Sequence, residues 1–236
     1  MAPKVLFILN EPTAPEALLG EAFTELGFAV STFEVVPAHR VDEPLFGVTF
    51  PDPSHYDIIV PLGARWAVYD ERFEQYWLRS EIEMVQQALD AGVGVLGVCF
   101  GGQLLARALG GSVGPSDSPE IGWHDVRSTR PDLIPPGPWF QWHFDRWTLP
   151  PGATEIARNA NGSQAFVHGR AMALQFHPEL DEELLEIWIA DDSDGAAQEL
   201  GLSHDDLRAR TAVELDDAVR RLRLLLRGFL DNVARG

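Results

Sequence analysis

Short apolar runs alternate along the first half of the chain with segments whose apolar positions recur every three or four residues. Continuous apolar runs are typical of strands that are buried on both faces of a parallel sheet. Four segments have this character and are predicted strands: 5–9, 28–36, 57–62 and 93–98. Three further segments have a helical period and end close to a glycine: 14–26, 72–91 and 101–109. This alternation predicts βαβ units, and therefore a mostly parallel sheet with helices on both faces.

The second half of the chain has a different pattern. Residues 112–176 are rich in Pro, Gly and Trp and contain short alternating runs, which predict several short extra strands. Beyond Glu179 the pattern is helical, and the last helix carries one narrow apolar stripe: Leu215, Val219, Leu222, Leu226, Phe229 and Val233. We therefore predict a domain over 1–190 and a C-terminal helical extension over 191–236 that packs on the same domain. A homodimer seam along the stripe is the less favoured alternative, because the stripe spans fewer than three heptads.

The charge of the chain excludes some partners. Asp and Glu number 36 against 18 Lys and Arg in 236 residues, which gives a formal net charge of −18. So acidic a surface repels phosphate backbones and anionic lipid headgroups, so we expect neither a nucleic-acid nor a membrane partner. Fourteen of the acids lie between Glu179 and Asp217, which we interpret as a solvated helical face. No apolar run is long enough for a signal peptide or a membrane span, so a cytoplasmic location is expected.

The single cysteine of the chain lies between a predicted strand and a predicted helix. Cys99 stands in the string Gly97-Val98-Cys99-Phe100-Gly101, the pattern of a nucleophile elbow with Cys in place of Ser. Glycines two residues before and after the nucleophile allow the sharp turn that lifts its side chain above the sheet edge. The helix that follows directs its positive end at the thiol, which favours the thiolate. A buried cysteine in a glycine-rich packing turn is the alternative interpretation of the same string.

A thiol nucleophile needs a general base and a group that orients the base. His177 follows a predicted strand and precedes Pro178, which fixes the backbone there. Glu179 lies two residues further on, so in an extended segment its carboxylate leaves the chain on the same side as the imidazole. His143, with Asp145 as its orienting group, is the second-ranked candidate base.

The strings GVCFGGQ (97–103) and QFHPE (175–179) together resemble the class I, triad-type glutamine amidotransferases. That family has a Cys nucleophile in a G-x-C-x-G elbow followed by Gln, and a late His-Pro-Glu. Residues 62–70 are similar to the glycine loop of the family. The resemblance covers roughly residues 4–190 and implies a flavodoxin-like α/β fold.

The resemblance also implies a role for each matching residue. Cys99 would attack the side-chain amide of glutamine. His177 would deprotonate the thiol, or hold the ion pair, and then protonate the departing ammonia. Glu179 would orient His177. Water would finally hydrolyse the thioester to glutamate.

Further matching positions would bind the substrate. The backbone N–H groups of Phe100 and of the Gly63-Ala64 loop would form the oxyanion hole. Gln103, four residues after Cys99 on the same helix face, would contact the bound glutamine.

The chain departs from the family pattern at two places near the predicted site. The loop reads Gly-Ala-Arg at 63–65 where the family usually has Gly-Gly-Pro, and an alanine with positive φ would be strained. The segment 141–145 is similar to the family's substrate-side segment but has Phe144 in place of glycine, which would reshape the pocket. Trp142 and His143 are therefore candidate substrate contacts, and Glu120, in a segment similar to one at the substrate mouth, is a third.

Three functions stay open on the sequence alone. The first is a stand-alone glutamine amidotransferase-like hydrolase that releases ammonia and glutamate. A separate synthetase chain would then activate the ammonia acceptor, because only about 57 residues follow Glu179. The second is a hydrolase of γ-glutamyl amides or peptides with the same triad. The third is a catalytically silent binding or regulatory module. No metal-ligand motif or nucleotide-binding motif occurs, so no cofactor is expected.

Overall fold

The computed structural model of the chain describes residues 2–235; Met1 and Gly236, at the outer ends of the two predicted segments, lie outside the described residues. The strands are β1 (Lys4–Leu9), β2 (Ala29–Glu34), β3 (Ile58–Pro61), β4 (Gly94–Val98), β5 (Val113–Ser128), β6 (Gly137–Trp147), β7 (Thr154–Arg158), β8 (Ser163–His168) and β9 (Ala171–Leu174). The α-helices are α1 (Ala17–Glu25), α2 (Glu71–Phe73), α3 (Arg79–Asp90), α4 (Phe100–Ala108), α5 (Glu182–Asp191), α6 (Ala196–Glu199) and α7 (His204–Phe229). A π-helical turn (Glu74–Leu78) joins α2 to α3, and a second one (Leu230–Ala234) continues α7.

One mixed sheet runs through the molecule in the order β2-β1-β3-β4-β9-β8-β7-β5-β6. The first five strands in that order pair parallel, and the remaining strands pair antiparallel. The predicted α/β class with a mostly parallel flavodoxin-like part is therefore confirmed. Because the parallel strands are buried on both faces, their sequences are continuously apolar rather than alternating.

Helices cover both faces of the sheet and bury a separate core on each. On one face α1 and α7 contribute Phe23, Leu226 and Phe229, which pack with Phe7 and Val98 of the strands. On the other face α3 and α4 pack with the opposite side of the same strands, through Met84, Val85, Leu104 and Leu105. The predicted stripe of the last helix is thus buried against the body of the protein over its second half.

The C-terminal helices are closely attached to the predicted domain. The predicted boundary at residue 190 falls inside α5, which ends at Asp191. The apolar residues of α5 pack with Ile121 and Phe140 of the β5–β6 hairpin and with Leu207 of α7. We infer that 1–190 and the helices after it fold as one unit. No helix within 2–235 has the length and apolar character that crossing a membrane requires.

Two of the extra strands are longer than the short alternating runs predict. β5 has 16 residues and β6 has 11, and they pair as one antiparallel hairpin. The register shifts between Pro115 and Glu120, so a bulge divides β5 into two differently paired stretches. That interruption, together with Pro119, breaks the alternation in sequence although the strand continues.

Candidate active site

The carboxyl ends of the parallel strands converge at one edge of the sheet. Cys99 follows β4, the loop 62–65 follows β3, and His177 lies shortly after β9, the strand on the other side of β4. Asn10 and Glu11 follow β1, the strand next to β3. Parallel α/β sheets place their functional sites at this edge, because loops from neighbouring strands meet there.

Cys99 occupies a strained turn between β4 and α4. Its φ of 51° and ψ of −110° lie in a region that non-glycine residues rarely adopt. The flanking glycines make the turn possible, because a Cβ atom at Gly97 would overlap the carbonyl oxygen of Gly101. A Cβ atom at Gly101 would overlap the carbonyl oxygen of Pro61. The strained backbone and the two close approaches have the geometry of a nucleophile elbow.

His177 and Glu179 form a tight buried pair beside this turn. His177 Nδ1 lies 2.7 Å from Glu179 Oε1, and both side chains are almost completely buried. The backbone N–H of His177 donates to the carbonyl of Phe140 at 2.8 Å, and its ring packs edge-on against Trp188 at 4.6 Å. Because Nδ1 is hydrogen-bonded to the Glu179 carboxylate, Nε2 is the ring nitrogen that can interact with another group. Nε2 has no hydrogen-bond partner among residues 2–235.

The surroundings of His177 favour the charged imidazolium. Burial lowers the pKa of His177, but the charges of Glu179 and Cys99 and the hydrogen bond to Glu179 outweigh it and raise the pKa to about 10. The imidazolium is therefore the favoured form of His177 at neutral pH.

The loop after β3 faces the cysteine and the histidine. A Cβ atom placed on Gly63 would lie 3.4 Å from His177 Cε1 and 3.9 Å from Cys99 Cβ. Ala64 has no positive φ, since among the described non-glycine residues only Ala17 and Cys99 do. Alanine therefore fits the loop in place of the family's glycine without backbone strain. Phe100 is the first residue of α4, where backbone N–H groups have no partner within the helix.

Polar side chains surround the cysteine sulfur. Gln175 Nε2 and the carbonyl of Trp142 both lie 3.9 Å from Cys99 Sγ. Gln103 Nε2 lies 3.4 Å from Gln175 Oε1 and 3.4 Å from the carbonyl of Asp145. The backbone carbonyl of Trp142 on β6 therefore contacts the predicted nucleophile directly, and Gln103 on α4 contacts its neighbour Gln175. Gln175 lies two residues before the His-Pro-Glu string, and its place beside Cys99 was not expected from the sequence.

The hydrogen-bonding partners of His143 differ from the prediction that Asp145 orients it. Its Nε2 lies 3.2 Å from Glu120 Oε2, and its Nδ1 lies 3.1 Å from the backbone carbonyl of Asp145. The carboxylate of Asp145 accepts instead from the hydroxyl of Tyr69 at 2.8 Å. Asp145 therefore does not orient His143 through its side chain.

Glu120 lies behind the cavity wall rather than on it. Its side chain is fully buried and contacts His143, His124, Asn159 and Gln164. Burial raises the pKa of Glu120, but hydrogen bonding and charge from His143 and His124 hold it below its usual range. Glu120 thus contacts His143 and does not line the cavity, and its contact with a substrate stays a prediction.

A cavity of about 640 Å³ joins these groups. The predicted site residues on its wall are Gly63, Ala64, Cys99, Gln103, Trp142, His143 and His177; Phe100, Glu120 and Glu179 lie outside it. Other lining residues were not expected from the sequence: Glu11, Tyr69, Trp188, Asp191, Asp192 and Asp194. Glu11 follows an apolar strand, so convergence of parallel strand ends could have pointed to it. The residues of α5 carry no such signal.

Arg65 links the loop to two other elements at the mouth of the cavity. Its guanidinium pairs with Glu11 after β1 and lies 2.9 Å from Asp191 at the end of α5. Burial raises the pKa of Glu11, and the charge of Arg65 acts against it. Within 2–235 no group of three or more His, Cys, Asp or Glu side chains is arranged to hold a metal ion.

The fold and the site define an α/β protein with a cysteine elbow, a histidine–glutamate pair and a facing glycine loop around one cavity. The family model for glutamine amidotransferase class-I matches residues 69–187, half of the chain. The chain belongs to this family.

Individual relatives agree with the family model. The chain is 30% identical over 171 residues to a GMP synthase [glutamine-hydrolyzing] of Aeropyrum pernix, a match that covers 66% of the chain and 31% of the relative. It is 34% identical over 143 residues to a gamma-glutamyl-L-1-hydroxyisopropylamide hydrolase of Pseudomonas sp, covering 53% and 48%. The match thus spans 31% of the length of the first relative and 48% of the second.

A solved structure extends the likeness to almost the whole chain. The crystal structure of a glutamine amidotransferase of Thermotoga maritima superposes with a TM-score of 0.83 and 25% identity. The match covers 98% of this chain and 100% of the other. The C-terminal helices are therefore part of the shared fold.

Proposed function

We propose that this chain is a cysteine-dependent hydrolase that releases ammonia from glutamine. The observation that carries the proposal is the arrangement of His177, which lines the cavity that holds Cys99. Its Nδ1 is bonded to Glu179 at 2.7 Å, and its Nε2 has no partner among residues 2–235. This is the geometry of a base oriented for a thiol nucleophile.

The reaction follows from these positions. The Cys99 thiolate attacks the side-chain amide carbon of glutamine, forming a C–S bond and an oxyanion. The N–H groups of Ala64 and Phe100 stabilise the oxyanion. The C–N bond breaks as His177 gives its proton to the leaving nitrogen, and ammonia departs. Water, deprotonated by His177, then attacks the thioester; the C–S bond breaks, glutamate leaves and the thiol is restored.

Gln103 and Trp142 hold the glutamyl part in this proposal, and His143 completes the wall beside them. Gly63 contributes by lacking a side chain, since any larger residue would contact His177 and Cys99. When ammonia is transferred rather than released, the acceptor is activated by a separate synthetase chain. The relative named GMP synthase [glutamine-hydrolyzing] supports the release of ammonia from glutamine in this proposal.

The central experiment measures glutamate and ammonia released from glutamine by the wild-type chain and by Cys99→Ala. A diazoketone analogue of glutamine gives a second readout, because it alkylates a reactive thiol. Cys99 is the single cysteine of the chain, so an adduct found by mass spectrometry on its peptide identifies the nucleophile. Ser112→Ala, a change of a residue outside the cavity, is the control. No glutamate and no adduct between pH 6 and 9 would show that the isolated chain is not a glutaminase.

A second function is favoured by the shape of the cavity. Trp142, Phe144 and Trp188 line the cavity, and Phe144 is 46% exposed. Aromatic walls of this kind fit an organic leaving group better than ammonia. The relative that hydrolyses a gamma-glutamyl amide supports the same chemistry. A panel of γ-glutamyl amides assayed beside glutamine separates the two functions by their kcat/KM values.

A silent binding or regulatory module is the outcome left if no γ-glutamyl compound is cleaved and Cys99 stays unmodified. In that case Cys99→Ser would leave any cellular phenotype of the protein intact.

A further inference from the structure

A carboxyl group lies fully buried inside the protein, outside the cavity that holds Cys99. Glu81 of α3 has no exposed surface, and neither of its oxygens accepts a hydrogen bond of standard geometry from residues 2–235. Burial raises the pKa of Glu81 to about 8, although the nearby side-chain amide of Asn10 acts in the opposite direction. At neutral pH Glu81 is therefore mostly protonated and carries an O–H donor.

Asn10 is the polar side chain next to this carboxyl. It follows β1 and is itself fully buried. Its Nδ2 donates to the carbonyl of Leu62 at 3.2 Å, whereas its Oδ1 finds no donor in the described part of the chain. Oδ1 of Asn10 and both oxygens of Glu81 thus lack partners among residues 2–235, and a buried polar atom without a partner is costly. A protonated Glu81 is able to supply the donor that Oδ1 lacks.

Leu62 is the first residue of the loop 62–65, whose N–H groups would form the proposed oxyanion hole. Its carbonyl also accepts from the N–H of Gly101 in the first turn of α4, at 3.1 Å. Asn10 and Gly101 of α4 therefore both donate to the Leu62 carbonyl, so Asn10 binds the loop where the loop contacts α4. The neighbouring Glu11 pairs with Arg65 at the far end of the same loop. Two consecutive residues after β1 thus fix both ends of the segment that carries Gly63 and Ala64.

We propose that Glu81 is a positioning residue, whose buried carboxyl group orients Asn10 so that Asn10 holds the Leu62 carbonyl and, through it, the loop that presents the Ala64 N–H to the oxyanion. This inference rests on the proposed function for its effect on the reaction. It concerns a residue that touches neither the substrate nor Cys99, and its effect is transmitted through two hydrogen bonds.

Two variants of Glu81 separate hydrogen bonding from packing. Glu81→Gln keeps the shape and an N–H donor for Asn10 Oδ1, so it should retain kcat within about threefold. Glu81→Met keeps the length but has no donor. It should lower kcat for glutamine about tenfold to a hundredfold, because donors must be fixed before charge develops. KM should change little, since the loss falls on the transition state.

Two controls test the path of the effect. Glu83→Met makes the same chemical change on the exposed side of the same helix and should leave kcat unchanged. Asn10→Leu removes the second link, and the double variant Asn10→Leu/Glu81→Met should lose no more than the larger single loss, because both act through one chain of contacts. Full additivity of the two losses would contradict the proposal.

Amide hydrogen exchange over residues 62–65 gives a readout that does not depend on activity. Faster exchange in folded Glu81→Met, with wild-type exchange in Glu81→Gln, supports the proposal. If wild type is active and Glu81→Met has unchanged kcat, the proposal is overturned. If wild type cleaves no γ-glutamyl substrate, the proposed function fails instead. Exchange then decides this inference alone: unchanged exchange in Glu81→Met overturns it.

Discussion

The buried carboxyl of Glu81 makes the stability of the protein depend on pH in a calculable way. Its pKa rises from an ordinary 4.5 to about 8 because the side chain is removed from water. Between those two values the unfolded chain has lost the proton and the folded chain still holds it. Stability therefore falls as pH rises through this window, because the folded state binds more protons. Below pH 4.5 both states are protonated and the contribution is complete.

The size of the effect follows from the shift. Each pH unit within the window changes the free energy of unfolding by about 1.4 kcal/mol, so the full window corresponds to several kcal/mol. Glu81→Gln cannot ionise and loses this dependence. The variant should therefore gain stability relative to wild type progressively from pH 5 to pH 8, and the gain should level off above about pH 8.

Urea denaturation followed by tryptophan fluorescence, at intervals of half a pH unit, measures the difference. The other titrating groups are common to both proteins and cancel in the difference between wild type and variant. Glu83→Gln is the matched control and should show no pH-dependent difference, because Glu83 is exposed on the same helix. Parallel stability curves for wild type and Glu81→Gln between pH 5 and 8 would refute the argument that Glu81 is buried as the acid.

Three further predictions concern the site. Glu179→Gln should lower kcat about a hundredfold or more, measured by glutamate release, because His177 loses its orienting carboxylate. The raised pKa of His177 stabilises wild type fully below about pH 6.5, and this stability is lost as pH rises through about 10; urea denaturation should show a smaller loss between pH 7 and 10 in Glu179→Gln. Gly101→Ala should destabilise the protein by about 1–3 kcal/mol through overlap with Pro61, whereas Gly114→Ala, in open space, should change thermal stability by about 0.5 kcal/mol or less.

The sequence determined the class of fold and the elements that carry the predicted nucleophile. Continuous apolar runs can be buried only where both faces are covered, so a parallel sheet with helices on both sides followed from β1, β3 and β4. The glycines around Cys99 predicted the sharp turn, and the tight approach of Gly101 to Pro61 is the physical reason for them. The pairing of His177 and Glu179 was also expected, because residues two apart in an extended segment lie on one side.

The β5–β6 hairpin and the cavity wall formed by α5 could be recognised only from the tertiary structure. The bulge in β5 interrupts the alternation of apolar and polar residues, so that alternation does not predict the length of the strand. Glu120 pairs with His143 because β5 and β6 are in register across 23 residues of sequence. Asp191 and Trp188 reach the cavity only because α5 packs on that hairpin, a contact between elements that are distant in the chain.

The local sequence pattern therefore determined which segments form turns, strands or helices, because those preferences depend on a few neighbouring residues. Tertiary packing decided which groups share a buried environment, and burial sets the protonation of Glu81 and His177. The sequence around Glu81 does not differ from that of an ordinary surface acid, and the His-Pro-Glu string marks His177 without indicating its protonation. Their chemistry comes from the removal of water and from partners supplied by other strands.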